Sequence, residues 1–483
     1  GHTIIVDTDS FNKKNLEKAE YDSNPLEDGS LENYQVIEVA MTSLTKEALK
    51  DIEGLDNKTI TRSKNMFALG MVYWMYHRSP EHTIAFFNKK FKNKPILIEA
   101  NTRVLNAGYY YSETLELIPN SYAIAPAKMA KGTYRVIMGN TATAWGFLAA
   151  AEKSGLDLFL GSYPITPASD LLEWLAPRLE NLGGELLQAE DELASINMVI
   201  GASFGGVPSM TATSGPGLAL MLEALGLSVA AEVPSLVVNV QRGGPSTGLP
   251  TSPAQGDVLQ ARWGTHGDHP IIALYPRGVR ETYDLTVRAF NLSETYRTPV
   301  VLLFDEVVGH MRERLEIPEP GEIPLVQRLR TAVKGGVDYH PYLPREDGRL
   351  PMSDFGGVHR YNVTGLVHDM WGFPSTDPKT VYELLRHLVD KIENRAGRLA
   401  KYKSFYLRDA EDILISYGSS ARSARNVAEE RRMRGERIGL LELQTLWPFP
   451  AKLVREVCKN ARSVVVVEMN MGQIMAAVKQ AVD

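Results

Sequence analysis

The chain has 483 residues, 44% of them hydrophobic and 23% charged, with a net charge of −6. This length is too great for one hydrophobic core and predicts about two to four domains. The charge argues against a nucleic-acid or anionic-membrane partner, because both need a basic surface, and no apolar run approaches the roughly 20 residues that span a membrane.

Cys458 is the only cysteine. It cannot form an internal disulfide, so we expect a cytoplasmic protein in a reducing compartment. Nor can the chain hold an iron–sulfur cluster by itself, since a cluster normally takes about four cysteine thiolates. The sequence around Cys458 predicts a helix in which the thiol packs as a small apolar group.

Residues 1–125 predict part of an α/β domain. Strand-like segments run from Thr3 to Val6 and from Tyr34 to Val39, and an apolar-periodic helix runs from Thr61 to Tyr76. Because the sequence opens directly on a strand, we expect residue 1 to lie inside a domain. Residues 126–133 have the composition of a linker.

Between residues 134 and 310, short apolar runs alternate with helical segments, which is the pattern of parallel βαβ units. Several runs are almost continuously apolar, as expected for strands covered on both faces. The predicted strands are Arg135 to Met138, Leu156 to Leu160, Ser209 to Ala212, Ser235 to Val240, Pro270 to Leu274 and Pro299 to Phe304.

The remainder of the chain predicts a connecting region and a second α/β domain. Residues 311–405 are irregular apart from a helix near Val381 to Ile392. Residues 406–483 return to alternating strands and helices. The strands predicted there are Ile413 to Ser416, Ile438 to Leu443 and Val464 to Val467.

Four loops rich in small or polar residues follow predicted strands. In open α/β sheets, ligands bind beyond the carboxyl ends of the strands, so we expect these loops to meet at one edge. A simpler interpretation of single loops is that Ser169 or Asp170 caps a helix and that the prolines only end strands. The loops are Gly139–Thr141, Gly161–Asp170, Thr213–Gly217 and Gln241–Thr251.

Arg242 is the most conspicuous charge in these loops. It follows a nearly apolar strand and lies among glycines that let a ligand approach the backbone. A guanidinium is the preferred bidentate partner of a carboxylate or phosphate, and Thr166 and Thr251 are candidate hydroxyl donors to the same anion. The alternative for Arg242 is an interdomain salt bridge.

Glu192 stands at the start of an apolar helix, directly after Glu190 and Asp191. Acidic residues stabilise helix N-termini, so a solvated acidic cap is one interpretation. The other is catalytic, because a helix that is apolar nearly all round is buried, and a partly desolvated carboxylate in its first turn is suited to proton exchange. Spacing alone leaves both interpretations open.

Together these motifs resemble the α subunit of 2-oxoacid:ferredoxin oxidoreductases, most closely the 2-oxoglutarate type in which a γ domain is fused ahead of α. Asn24 to Leu26 and Arg62 to Met66 carry the match to the γ domain, whose glycine-rich opening the sequence lacks. The match to α rests on Tyr163–Pro167, Glu190–Glu192, Thr213–Gly217, Gln241–Gly248, His359–Pro374, Leu446–Pro450 and Val465–Gln473.

The resemblance implies an α/β fold with these parts: a partial γ-like domain (1–125), a thiamine-pyrimidine-type domain with a parallel sheet (134–310), a connecting region (311–405) and a transketolase C-terminal-like domain (406–483). It also implies thiamine diphosphate as a cofactor shared with a second subunit. Glu192 matches the glutamate that hydrogen-bonds the aminopyrimidine ring, and Tyr163, Pro164 and Ile165 belong to the loop beside it.

The substrate side follows from the same resemblance. Thr166 and Arg242 match residues that contact the 2-oxoacid and help to place coenzyme A, and Thr251 matches a threonine in the same pocket. The implied reaction is the oxidative decarboxylation of a 2-oxoacid to its acyl-CoA, which is succinyl-CoA when 2-oxoglutarate reacts. The electrons pass to ferredoxin.

The resemblance further implies a β subunit. The Gly-Asp-Gly motif that holds the cofactor's diphosphate through magnesium is not in this sequence, where Gly267-Asp268-His269 is not a match. In the family, Mg²⁺ and a 4Fe–4S cluster belong to β. We therefore expect activity only in an αβ or (αβ)2 assembly.

Two alternatives remain from the sequence. The substrate is pyruvate, indolepyruvate or a branched-chain 2-oxoacid instead of 2-oxoglutarate, whose second carboxylate needs another cation, for which His266, His269 and the partner are candidates. The other alternative is a non-catalytic transketolase-like or acyl-CoA-binding subunit, against which Glu192 argues.

Overall fold

The computed structural model describes residues 2–115, 122–152, 157–335 and 338–482. The chain forms two compact units, Gly1–Ala130 and Lys131–Asp483. The strand predicted from Leu156 therefore begins outside the described residues.

The first unit is a small α/β structure. Strands β1 and β2 pair in parallel over their five residues, and Ile37 and Val39 of β2 are buried among residues of the surrounding helices. Its elements are β1 (Thr3–Asp7), α1 (Lys13–Lys18), β2 (Gln35–Val39), α2 (Met41–Leu49), α3 (Asn57–Met75), α4 (Glu81–Lys90) and α5 (Pro95–Leu115).

Helices α3 and α5 touch backbone to backbone at two glycines. A Cβ on Gly70 would lie 2.1 Å from the Leu105 carbonyl oxygen, and one on Gly108 would lie 2.0 Å from that of Phe67. Helix α3 begins earlier than the predicted Thr61, because the Asp56 side chain accepts a hydrogen bond from the Thr59 amide at 2.7 Å and caps the helix.

The second unit contains the strands and helices that follow. The strands are β3 (Tyr134–Met138), β4 (Leu158–Ser162), β5 (Gly184–Gln188), β6 (Ser209–Thr213), β7 (Ser235–Gly243), β8 (Leu249–Pro253), β9 (Ile272–Leu274), β10 (Pro299–Asp305), β11 (Arg312–Glu316), β12 (Tyr402–Phe405), β13 (Asp412–Tyr417), β14 (Ile438–Leu443), β15 (Thr445–Trp447) and β16 (Ser463–Val467). The helices are α6 (Gly139–Glu152), α7 (Ser169–Leu175), α8 (Glu192–Phe204), α9 (Gly215–Ala230), α10 (Val258–Trp263), α11 (Val279–Tyr296), α12 (Glu306–His310), α13 (Pro378–Glu393), α14 (Ala396–Leu399), α15 (Ser420–Met433), α16 (Ala451–Cys458) and α17 (Gln473–Val482).

The main sheet has the strand order β15-β9-β10-β7-β6-β4-β5, with β8 paired to β7. The six strands from β9 to β5 are parallel, and every residue of the central β7 and β10 is buried. This is the doubly covered parallel sheet that the apolar runs predict, and the α/β fold class is confirmed.

Strand β15 extends this sheet from far along the chain. It pairs antiparallel with β9, and the Trp447 indole Nε1 donates to the Val258 carbonyl at 3.0 Å. The four-stranded sheet β12-β14-β13-β16 follows the predicted second α/β pattern. Cys458 ends α16 and is buried in the same core as the main sheet, so its predicted packing role is confirmed.

One predicted strand is wrong in its pairing. The run from Arg135 to Met138 does not join the parallel sheet; as β3 it pairs antiparallel with β11 in a separate ribbon. Arg135 and Val136 are exposed, which suits a two-stranded ribbon. A short apolar run does not by itself distinguish this from a sheet strand.

A buried polar network joins the main sheet to the four-stranded sheet. The Tyr275 hydroxyl donates to Asp305, whose carboxylate also accepts from the Ser419 amide at 2.6 Å. The Gln255 side chain donates to the Tyr417 carbonyl at 3.2 Å and accepts from the Met469 amide at 2.8 Å. These bonds fix the loop after β8 against Tyr417 at the end of β13 and Met469 just after β16.

Across the described ranges, no helix combines the length and the apolar character that a membrane span needs.

Candidate active site

The carboxyl ends of β4, β6 and β7 meet at one edge of the main sheet, because these strands are parallel neighbours. The loops after them are three of the four predicted from the sequence. The fourth, Gly139–Thr141, follows β3 outside this sheet, yet it reaches the same place: Asn140 Nδ2 donates to the Pro167 carbonyl at 3.0 Å. All four loops are therefore connected.

Tyr163, Glu192 and Thr213 form a compact cluster around Gly217. The Tyr163 and Thr213 hydroxyls lie 2.5 Å apart and share a hydrogen bond. A Cβ on Gly217 would lie 2.2 Å from Thr213 Oγ1, 2.3 Å from Tyr163 Oη and 3.0 Å from Glu192 Cγ. Only glycine fits at position 217, so α9 can begin directly against these side chains.

Glu192 opens α8 but does not cap it. Asp191 is the N-cap residue, and its carboxylate accepts from the Ala194 amide at 2.8 Å. Glu192 itself is half-buried. The structure thus assigns the capping role to Asp191 and leaves the Glu192 carboxylate available for another role.

Tyr163 is kept protonated by its surroundings. Burial raises the pKa of Tyr163 well above its usual 10, and the nearby Glu192 carboxylate raises the pKa further. The hydrogen bond with Thr213 and, to a smaller extent, the Arg242 charge lower the pKa without cancelling these effects. A neutral hydroxyl beside Glu192 lets the tyrosine donate hydrogen bonds throughout the physiological pH range.

Arg242, at the carboxyl end of β7, connects this strand to the loop after β4. Its Nη1 donates to the Thr166 carbonyl oxygen at 2.5 Å, and its side chain is only 9% exposed. Its Nε is buried without a hydrogen-bond partner. The interdomain salt bridge considered for Arg242 is not formed among the described residues. A guanidinium without an ion-pair partner is a candidate for binding an anion.

Asp257 was not singled out by the sequence. Burial raises the pKa of Asp257, while a hydrogen bond from Asn239 at 3.0 Å and the Arg242 charge lower it in part. A Cβ on Gly215 would lie 2.8 Å from its Oδ2, so the carboxylate abuts the start of α9. A lone Asp after Gly is common in turns, and only the fold brings it beside Arg242.

Several buried polar atoms in this region have no hydrogen-bond partner in the protein. Buried polar groups normally find partners, so such atoms indicate a place where a polar ligand binds. Ser214 is the N-cap residue of α9, but its hydroxyl makes no capping bond. The unpartnered atoms are Asn140 Oδ1, Ser214 Oγ, Asn239 Oδ1 and Arg242 Nε. With Gly217 and the half-buried Glu192, this donor and acceptor set fits the pyrimidine side of thiamine diphosphate.

The other predicted site residues lie in the loop after β4 and on β8, outside the cluster of Tyr163, Glu192 and Thr213. Thr166 and Pro164 are exposed, and Ile165 packs against the core on both sides of its loop. Thr251 lies exposed on β8, beside β7. No described hydrogen bond links its hydroxyl to the cluster.

His269 is wrong as a candidate cation for a second substrate carboxylate. Its side chain is buried, and its ring nitrogens lie 2.9 Å from the carbonyl oxygens of Gly267 and Arg262. Both nitrogens are therefore used within the protein. His266 is exposed and keeps its place as a candidate.

The helix-cap interpretation of Asp170 and Ser169 is also wrong. The N-cap residue of α7 is Ala168, and no side-chain bond caps the helix. Asp170 instead pairs with His310 Nε2 at 3.2 Å, while His310 Nδ1 lies 3.0 Å from Glu306.

In the described ranges, no three His, Cys, Asp or Glu side chains gather in a way that could hold a metal ion.

Family models match most of the chain. The thiamine diphosphate-binding model of pyruvate flavodoxin/ferredoxin oxidoreductases matches residues 150–386 and so contains the whole cluster. Pyruvate:ferredoxin oxidoreductase core domain II matches residues 410–483, and pyruvate ferredoxin/flavodoxin oxidoreductase matches residues 1–111.

Individual proteins give the same result. The 2-oxoglutarate oxidoreductase subunit KorA of Mycobacterium tuberculosis is 40% identical over 486 residues, which cover 98% of this chain and 72% of that protein. The 2-oxoglutarate synthase subunit KorA of Methanothermobacter marburgensis is 43% identical over 71% of this chain and 90% of its own. The solved 2-oxoglutarate:ferredoxin oxidoreductase from Magnetococcus marinus, with 2-oxoglutarate, coenzyme A and succinyl-CoA bound, superposes with a TM-score of 0.85 at 30% identity, covering 99% of this chain and 83% of that one. The chain therefore belongs to the 2-oxoacid:ferredoxin oxidoreductase family.

Proposed function

We propose that this chain is the α subunit of an enzyme that oxidises 2-oxoglutarate with coenzyme A to succinyl-CoA and carbon dioxide and passes the electrons to ferredoxin. The observation that carries the proposal is the cluster of Glu192, Tyr163 and Thr213 beside the buried Arg242. Both subunits compared above, and the solved structure, are named for 2-oxoglutarate, which supports this substrate.

On the cofactor side, we assign the pyrimidine contact to Glu192. When bound, thiamine diphosphate supplies a nucleophilic carbon and an electron sink for the decarboxylation. Glu192 would hydrogen-bond a ring nitrogen of the bound cofactor and so hold the proton at that atom. The bond between the Tyr163 and Thr213 hydroxyls holds the tyrosine beside Glu192. We also assign cofactor contacts to Pro164 and Ile165, which follow Tyr163 in the same loop.

On the substrate side, we assign the 2-oxoacid carboxylate to Arg242. Its Nη1 is held by the Thr166 carbonyl, while its unpartnered Nε remains for a ligand. This preorganised cation needs little rearrangement to bind an anion. The exposed hydroxyls of Thr166 and Thr251 contribute to placing the same substrate and coenzyme A.

The proposed assembly includes a β subunit that carries the diphosphate and magnesium site and a 4Fe–4S cluster, as an αβ or (αβ)2 complex that reduces ferredoxin. The single cysteine of this chain supports a cluster held elsewhere. It also supports a cytoplasmic location for the complex.

Anaerobic dye reduction by the chain co-expressed with its β subunit tests the substrate. Coenzyme A is supplied, and 2-oxoglutarate, pyruvate, indolepyruvate and a branched-chain 2-oxoacid are compared at equal concentration. Preferential reduction with 2-oxoglutarate supports the proposal. Preference for another acid keeps the reaction class and rejects the substrate, and no coenzyme A-dependent reduction with any acid rejects both.

A further inference from the structure

The second unit has a cavity of about 480 Å³ beside α11, between the segment 318–326 and residues 398–401. Its volume lies within the range of small-molecule sites, roughly 300–1,000 Å³. Val287 and Leu292 form an apolar wall, next to the rings of Tyr283 and Tyr296. None of the residues that line this cavity belongs to the cluster of Tyr163, Glu192 and Thr213 at the candidate active site, which we call the catalytic cluster.

The lining also contains the cations Arg280, Arg288, Arg398 and Lys401 and the acids Asp284 and Glu322. Arg288 Nη2 donates to the Leu399 carbonyl at 3.0 Å, but its Nε is buried without a partner. In the described part of the chain, no hydrogen bond or ion pair engages the side chains of Arg398 and Lys401. Arg280, also in the lining, is already paired with Asp284, with both oxygens 3.1 Å from its Nε.

Repulsion between positive charges remains in this lining. Burial lowers the pKa of Lys401 and the neighbouring Arg288 guanidinium lowers it further, while the nearby carboxylates of Asp284 and Glu281 raise it in part. Burial also lowers the pKa of Arg288. A bound anion would remove this repulsion, since the attraction between opposite charges is strong in a partly desolvated site.

A second cavity lies at the N-terminal end of the same helix and shares Arg280 with the first. It is lined by Arg277, Lys403, Arg422 and Arg425, among others. There each of these cations already has a carboxylate partner within the protein: Glu442 or Glu281 for Arg277, Glu281 for Lys403, Glu313 for Arg422 and Glu429 for Arg425. Of these two cavities, the first combines apolar lining residues with cations that have no carboxylate ion-pair partner in the described part of the chain.

We propose that the cavity beside α11 binds a small organic phosphate with an aromatic or apolar body. Guanidinium groups match phosphate oxygens in a fork, and Lys401 adds a third cation. The tyrosine rings and the apolar wall then accommodate the body of the ligand. This site lies outside the catalytic cluster, and the proposal does not depend on the reaction proposed above.

Calorimetric titration of the purified complex with phenyl phosphate, without added thiamine diphosphate or coenzyme A, tests the proposal. Both of those ligands are themselves organic phosphates with an aromatic ring and would compete for the cavity, so variants of the lining residues locate the binding of phenyl phosphate instead. We expect Arg398→Gln and Lys401→Gln each to weaken its binding about tenfold, which is the loss of one charge-assisted hydrogen bond. Neither side chain has a described bond that holds the fold, and an unchanged melting temperature verifies this.

Arg422→Gln in the second cavity is the matched control and should leave the affinity unchanged. Phenol, which lacks the phosphate, should bind at least about tenfold more weakly than phenyl phosphate, and so should inorganic phosphate, which lacks the body. Equal affinity of inorganic and phenyl phosphate overturns the organic part of the proposal. The proposal is overturned entirely if phenyl phosphate does not bind at millimolar concentration, or if the Arg398 and Lys401 variants bind it as the parent does.

Discussion

At the scale of single residues, the site consists of polar groups that the fold buries without satisfying fully. Arg242 illustrates this: one nitrogen is held by the Thr166 carbonyl, and another has no partner. Leaving a buried donor unpaired costs about 1–3 kcal/mol. The cost is offset when a ligand accepts from that donor, so the site is built at the expense of stability.

Arg242→Lys tests the fork geometry rather than the charge. A lysine cannot reach the Thr166 carbonyl and a substrate carboxylate with two separate nitrogens, so we expect kcat/KM for the 2-oxoacid to fall by about 10- to 100-fold, mainly through KM. Arg462→Lys, at an exposed ion pair with Asp412, is the control and should leave kcat/KM unchanged. Unchanged kcat/KM in Arg242→Lys would contradict the assigned role.

At this scale the sequence identified most of the cluster. The motifs containing Tyr163, Glu192 and Arg242 predict groups at one sheet edge, and the structure brings them together. The sequence did not reveal that Thr166 meets Arg242 through its carbonyl, because backbone contacts leave no trace in residue type. The sequence also did not predict that Asp257 lies in the site, since elements distant in sequence bury it.

At the scale of elements, the start of α9 determines how closely the loops that carry Tyr163, Glu192 and Thr213 approach one another. Its first turn lies against Thr213, Tyr163 and Glu192, which requires a residue without a side chain at position 217. Further along the same helix, a Cβ on Gly226 would meet nothing nearer than Thr265 Cβ at 3.9 Å. The two glycines therefore have different physical roles within one helix.

Gly217→Ala and Gly226→Ala form a matched pair. The methyl group at 217 displaces the Tyr163 and Thr213 hydroxyls, and we expect a loss of about 1–3 kcal/mol in unfolding free energy together with most of the activity. At 226, alanine favours the helix by about 0.5–1 kcal/mol and leaves activity intact. Denaturant unfolding and dye reduction measure both, and equal behaviour of the two variants would refute the close approach at 217.

The sequence predicted buried strands better than edge strands. Strands β7 and β10 are almost wholly apolar and were recognised, because burial on both faces leaves a continuous signal. Strand β8 contains two prolines, and the residues of β11 are charged except for Leu315. Such segments resemble loops in sequence, and their pairing depends on partners that a single sequence does not name.

At the scale of the whole molecule, contacts between distant segments hold the second unit together. Glu232, just after α9, is fully buried and accepts from Lys391 Nζ at 2.7 Å and from His387 Nε2 at 3.1 Å, both on α13. Burial alone raises the pKa of Glu232, but the charges of Lys391, His387 and Arg297 outweigh it and hold the pKa below its ordinary value. No local sequence pattern predicts such a pairing, because its members lie 159 residues apart.

Lys391→Met leaves the Glu232 carboxylate buried without its main partner. We expect a loss of about 3–5 kcal/mol in unfolding free energy, measured by denaturant titration. Lys379→Met on the same helix breaks only an exposed pair with Glu383 and should leave the unfolding midpoint unchanged. If both variants unfold at the parent midpoint, Glu232 and Lys391 do not anchor α13.

The Glu232 pKa also predicts an effect of acid. Because its pKa in the folded protein is lower than the ordinary 4.5, its contribution to stability is complete above that value and is lost as the pH falls towards the folded-state pKa. The parent protein should therefore lose more unfolding free energy between about pH 5 and pH 3 than Glu232→Gln does. Equal losses in the two proteins would show that Glu232 does not carry this dependence.

A single assay decides whether Glu192 is the catalytic carboxylate of this subunit. Coenzyme A-dependent dye reduction with 2-oxoglutarate is compared between the parent complex and the Glu192→Gln complex. Each is purified with its β subunit and shown to contain thiamine diphosphate and the 4Fe–4S cluster. We expect the variant to lose about 10²- to 10⁴-fold in rate, because a group that controls a proton is neutralised. A variant that contains the cofactor and turns over at the parent rate would show that Glu192 does not have this role.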